Sequence, residues 1–219
     1  MKKVLFIKQK IKGYPGYDMR IRDENLSVQD LLEEMNEFVE SGQIERVWPG
    51  NRTNCYACDL CCYEPLPVTS IDVENICQAK HITEFSEAFK YLWVEVCGEI
   101  VDITLRRTEG GRCIFLTAEK TCSIYRYRPF LCQTYVCCGT TENVEELRSQ
   151  IVNQGMDELV RKSILTFQTR GLPLPVDRGR EDGIDLADWS ENCFTGKTDY
   201  SEILLKDVLS SDLLRILLL

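Results

Sequence analysis

Four cysteines fall within eight residues, Cys55, Cys58, Cys61 and Cys62, in the pattern CxxCxxCC. Thiols spaced by two residues let one tight loop wrap three corners of a cubane iron-sulfur cluster, with the fourth thiolate coming from a remote segment or from the vicinal Cys62. One CxxC pair is also half of a tetrahedral four-thiolate zinc site. A second, separated CxxC would be the zinc signature, and none exists: the remaining cysteines stand at 77, 97, 113, 122, 132, 137, 138 and 193. The spacing favours a 4Fe-4S centre, with zinc as the alternative. His81 is the only histidine, so sites built on two or three histidines are excluded and any metal would be held mainly by thiolates.

A second cysteine block follows, Cys113-Ile-Phe-Leu116, then Cys122-Ser-Ile-Tyr125 and Arg128-Pro-Phe-Leu-Cys132, then Cys137-Cys138. The order of these blocks, over residues 54–138, resembles the CxxCxxCC cysteine-cluster family, the YkgJ-like zinc- or iron-chelating proteins. The resemblance implies chelation by Cys55, Cys58, Cys61, Cys62, Cys113, Cys122 and Cys132, with Cys137 or Cys138 as an eighth ligand. It hints at iron-sulfur chemistry, and together with the spacing the main expectation is an iron-sulfur (4Fe-4S) protein in electron transfer or an oxidoreductase-like reaction. A non-catalytic zinc- or iron-chelating module is the alternative. A flagellin lysine N-methylase shares the pattern, which leaves a methyltransferase-related activity as a third reading. Independently of the family, Arg126 and Arg128 are permanent cations that can offset the negative charge of a thiolate-ligated cluster or donate to acceptors around it; the competing reading is arginines on a surface turn. Pro129 steers Arg128 away from helical backbone. Cys77 and Cys97 read as core residues, Cys193 is open between ligand and structural roles, and His81 reads as a capping or surface group.

The composition frames these choices. The chain has 219 residues, 44% of them hydrophobic, with 26 basic and 35 acidic side chains and a net charge of −9. No dense Lys/Arg run offers a face for a phosphate backbone, so nucleic acid is not an expected partner. The opening MKKVLFIKQK interrupts its apolar run at Lys8, and Leu213–Leu219 is too short to span a bilayer. The expected location is cytoplasmic, with no membrane partner and an unnamed redox or protein partner. In a reducing compartment twelve cysteines read as metal or redox groups before disulfides.

The elements that must position the cysteines follow from periodicity. Residues 4–11 and 18–23 predict a hairpin turning at Gly13-Tyr-Pro-Gly16. Ser27 caps a helix whose apolar residues Val28, Leu31, Leu32, Met35, Phe38 and Val39 share a face up to Gly42. A strand over 43–48 leads into the first cysteine block. Thr69 or Ser70 caps a helix over about 72–80, and Thr83 another from Glu84 to about Trp93. Val101, Ile103 and Leu105 alternate with polar residues as a half-buried strand, which Glu109-Gly-Gly111 is expected to turn into a hairpin with Arg112–Thr117. A long helical pattern from about Asn143 to Gly171 is weakened at Gly155, predicting a kink or two helices. A surface loop over 171–182 and a last helix carrying Ile203, Leu204, Leu205, Val208 and Leu209 complete the chain. The expected class is α+β: a small irregular cysteine-rich metal-binding core with short strands, flanked by helices. The expected division is 1–53 for the hairpin and helix, 54–140 for the cysteine domain and 141–219 for a helical extension.

Overall fold

The computed structural model describes residues 2–41, 59–180 and 184–219, and the fold is α+β. Strands β1 (Val4–Ile11) and β2 (Tyr14–Ile21) form an antiparallel hairpin, and β5 (Gly139–Thr140) runs parallel to β2. Strands β3 (Leu92–Cys97) and β4 (Ile100–Leu105) form a separate antiparallel pair. The helices are α1 (Val28–Glu40), α2 (Ser70–Lys80), α3 (Phe130–Thr134), α4 (Glu142–Thr169), α5 (Leu205–Val208) and α6 (Ser211–Leu217). No described helix is long and apolar enough to cross a membrane.

Two compact units interleave along the chain: Met1–Cys58, Gln133–Ile151 and Asp199–Leu219 form the first, Asp59–Cys132 and Val152–Thr198 the second. In the first unit the turn of the β1–β2 hairpin is Lys12-Gly13, both at positive φ (52° and 87°). A two-residue turn with both central residues at positive φ matches the twist of the flanking strands. Pro15 and Gly16 therefore sit inside β2, opposite Lys10 and Gln9, and not in the turn expected at 13–16. Helix α1 forms as its pattern requires. Ser27 accepts from the Asp30 N–H while the Asp30 carboxylate accepts from the Ser27 N–H, and the six apolar residues named above are buried. Phe6 of β1 stacks on Phe38 of α1 with ring centroids 4.2 Å apart.

The expected last helix is broken. A 3-10 turn at Tyr200–Glu202, capped by Asp199, is followed by extended Ile203 and Leu204 before α5 and α6. The cause is backbone pairing: the Ile203 carbonyl accepts from Val28 N–H at 2.8 Å, and Leu205 N–H donates to the Leu26 carbonyl at 2.8 Å. Those groups cannot also close a helix.

In the second unit β4 pairs with β3, not with residues 112–117 as the Gly110-Gly111 signal predicts. The β3–β4 register sets Leu92 opposite Leu105, Val94 opposite Ile103 and Val96 opposite Val101, all six buried. The turn at 108–111 does form, with Gly111 N–H donating to Thr108 O at 2.8 Å, but the returning chain pairs only briefly, through the Arg107–Cys113 bridge and its flanking bonds from Thr108 N–H to Arg112 O (2.7 Å) and from Ile114 N–H to Arg106 O (3.0 Å), and forms no strand. Residues Phe85–Tyr91 form a 3-10 helix with no side-chain cap, and Leu92 and Trp93 already belong to β3. The same alternation that buries Val94 and Val96 turns Cys97 outward, so it is exposed and not the core residue expected.

Helix α4 is one continuous 28-residue helix, without the expected interruption at Gly155. A Cβ there would lie 2.5 Å from Thr69 Cγ2 and 3.1 Å from Phe194 Cε1. The glycine is thus a packing site that lets the N-cap of α2 approach α4, not a helix end. The strand expected over 43–48 lies outside the described residues.

Candidate metal centre

Helix α2 begins at a buried cap. Thr69 Oγ1 accepts from Asp72 N–H and an Asp72 carboxylate oxygen accepts from Thr69 N–H. The helix ends at His81 in the left-handed conformation, φ 53°, and the histidine is exposed, as its reading as a cap or surface group requires. Cys77 is buried on this helix.

Cys61 and Cys62 lie on a 3-10 turn, Leu60–Tyr63, preceded by Asp59, and residues 59–63 are tied to the 107–120 stretch at three points. Cys113 N–H donates to the Cys62 carbonyl at 2.7 Å. Arg107 donates to the Tyr63 carbonyl at 3.2 Å. Lys120 pairs with Asp59 at 3.1 Å. Cys55 and Cys58 lie outside the described residues.

Cys113 and Cys122 sit at isolated bridges, Arg107 with Cys113 and Leu116 with Cys122, in a loop without regular elements. Burial raises both thiols above the ordinary value of 9.0, and backbone N–H groups oppose that rise: Phe115 and Leu116 at Cys113, Ile124 at Cys122. Amides donating to sulfur from two or three residues downstream favour the thiolate, the form that binds metal. The second cation layer is placed likewise. Arg128 is buried, donates to the Tyr125 carbonyl at 3.0 Å and lies 4.0 Å from the Tyr125 ring centroid. Lys80 Nζ stands 5.3 Å from the Phe115 centroid. Both cations favour the ionised Cys122. Arg126 is exposed on the 3-10 turn Tyr125–Tyr127.

Pro129 holds Arg128 extended at φ −64° and ψ 144°, and helix α3 then starts at Phe130 with Cys132 in its first turn. Burial raises Cys132 well above the ordinary range, and the charges of Cys61, Cys113, Asp72 and Cys122 raise it further. Cys62 is raised first by its hydrogen bond with Cys61, then by burial and by the charges of Cys61, Cys113 and Cys132. The thiols of Cys61, Cys62, Cys113, Cys122 and Cys132, from three stretches of the second unit, thus stand within electrostatic reach of one another. Among the described residues no group of three or more His, Cys, Asp or Glu side chains closes into a coordination shell. The donors are uniformly soft sulfur, which fits zinc or iron.

Cys137 and Cys138 belong to the first unit, where they line a cavity of about 780 Å³ together with Lys10, Lys12 and Tyr135. Cys193 is half-buried, its thiol 3.2 Å from Gln154 Oε1. Asp72 was not singled out by its sequence, where a carboxylate three residues after Thr69 signals only a helix cap.

Residues 54–150 match the model of the CxxCxxCC family, described as "Putative zinc- or iron-chelating domain". No curated protein and no solved structure matches the chain significantly. The described thiols Cys61, Cys62, Cys113, Cys122 and Cys132 therefore all lie within the stretch, residues 54–150, that is similar to this chelating domain.

Proposed function

We propose that the thiols of the second unit, with Cys55 and Cys58, bind an iron-sulfur cluster of the 4Fe-4S type, and that the protein works in electron transfer or an oxidoreductase-like reaction with a redox partner. The observation that carries this reading is the backbone bond of 2.7 Å from Cys113 N–H to the Cys62 carbonyl, which ties the first cysteine block to the second. Cys55, Cys58 and one of the Cys61-Cys62 pair supply three corners of a cubane, and the fourth thiolate comes from the second block. Seven thiols exceed the four that one structural zinc requires. Amides donating to Cys113 and Cys122, and the cations Arg128 and Lys80, are the outer-shell features that stabilise a negatively charged cluster. Cys61, Cys62 and Cys122 are only partly buried, which keeps a cluster close to solvent and to a docking partner.

The second reading is a non-catalytic zinc- or iron-chelating module. It is favoured by the irregular path from Arg106 to Pro129, which has one 3-10 turn and isolated bridges as its ordered features and would gain folding free energy directly from a bound metal. Anaerobic purification with elemental and sulfide analysis separates the two: the cluster reading expects iron with acid-labile sulfide, and the module reading expects stoichiometric zinc or iron without sulfide. Under either reading Cys58→Ser loses the metal and Cys77→Ser keeps it. Equal metal content in the two variants would overturn the assignment of the first cysteine block.

A further inference from the structure

We propose that Asp72 is a positioning residue of the thiol centre, fixing the backbone that presents Cys132. The proposal rests on the metal reading above. Asp72 is 1% exposed, and both of its carboxylate oxygens are engaged by backbone. One accepts from Thr69 N–H at 2.9 Å, closing the cap of α2. The other accepts from Phe130 N–H at 2.8 Å, across 58 residues of chain.

A capping box needs only the first of these bonds. The second bond reaches the start of α3, where helix geometry leaves N–H groups without an intrahelical partner. Proline at 129 has no N–H, so Phe130 supplies the first donor after it, and Cys132 lies two residues beyond. Asp72 therefore joins the end of the Arg128-Pro129 turn to the capped end of α2, which is itself set against α4 by the contact of Thr69 with Gly155. The Asp72 charge also acts on Cys132. A buried carboxylate beside several thiolates is electrostatically costly unless a cation sits among them. Because its oxygens are held by amides, Asp72 acts through the backbone and is not itself a ligand.

The test uses the full chain, apo and titrated anaerobically with cobalt(II), whose thiolate complexes absorb in the visible range. The variants are Asp72→Asn, Thr69→Val, Cys132→Ser and the double variant Asp72→Asn/Cys132→Ser, with circular dichroism reporting the fold. Thr69→Val weakens the α2 cap without touching Phe130. The expected result is a wild-type cobalt spectrum in Thr69→Val and a spectrum shifted toward that of Cys132→Ser in Asp72→Asn, with affinity lower by about tenfold or more. The double variant is expected to bind no more weakly than Cys132→Ser alone. Equal thermal destabilisation of Asp72→Asn and Thr69→Val, with wild-type spectrum and affinity in both, would overturn the proposal and leave the metal site standing. Absence of thiolate-cobalt bands in the wild type would overturn the metal reading itself. Should Asp72→Asn fail to fold, Asp72→Glu keeps the charge but displaces the contact with Phe130; a wild-type cobalt spectrum and affinity in that variant would also overturn the proposal.

Discussion

Single side chains here carry consequences that their local sequence understates. Cys77 sits within the cysteine-rich stretch yet is buried on α2, and its thiol is pushed up to about 11, by burial first and by the Glu74 carboxylate, with Lys162 opposing. A thiol that ionises near 9.0 in the unfolded chain but near 11 in the fold retains its proton in the native state. Its contribution is complete below pH 9.0 and is lost as pH rises through about 11. Denaturant unfolding across that window should show the stability gap between the wild type and Cys77→Ala shrinking as pH rises; a constant gap would contradict the placement. Gly155 offers a second test. Helix propensity alone makes Gly155→Ala stabilising by about 1 kcal/mol, but overpacking against Thr69 costs about 1 to 3 kcal/mol. A lower urea midpoint is expected, and a higher one would show that α2 and α4 are not in the close contact described.

At the level of elements, Asp18 joins β2 to Thr141, the residue that precedes α4. Burial opposes its ionisation, but hydrogen bonds from Thr141, the Met19 N–H and Arg20 outweigh it and hold the carboxyl below its ordinary 3.8; the Thr141 Oγ1 bond measures 2.8 Å. A depressed carboxyl stabilises the fold above pH 3.8 and loses that contribution as pH falls through its folded value. Asp18→Asn should cost about 1 to 3 kcal/mol at neutral pH and show a shallower acid decline than the wild type; identical acid slopes would contradict the link. Legibility in the sequence divides along the same line between local and distant. Helices α1 and α2 could be read because Ser27 with Asp30 and Thr69 with Asp72 are signals within one turn. The partner of β4 could not, because Gly98 and Gly110-Gly111 are equivalent turn signals and the choice depends on which neighbouring strand completes a buried face. The break at Ile203–Leu204 depends on backbone groups about 175 residues upstream, for which local periodicity has no marker. At the centre, the cysteines announced themselves by type and spacing, whereas the Phe130 bond of Asp72 has no sequence signature.

For the whole molecule, the described thiols of the proposed centre, Cys61, Cys62, Cys113, Cys122 and Cys132, lie in the second unit. There the 3-10 turn bearing Cys61 and Cys62, the loop bearing Cys113 and Cys122 and the first turn of α3 bearing Cys132 are pinned together by amides, ion pairs and buried side chains. Regular structure is sparse between Arg106 and Pro129, so a bound metal would contribute much of that region's order. Removing it with a chelator should lower the melting temperature by more than Cys77→Ala does, and an unchanged melting curve would show that the loop holds its shape unaided. The most direct test of the central claim is metal and sulfide content with Mössbauer spectroscopy on protein purified without oxygen. The account predicts bound iron with matching sulfide, lost in Cys132→Ser; a well-folded protein with neither iron nor zinc would contradict it.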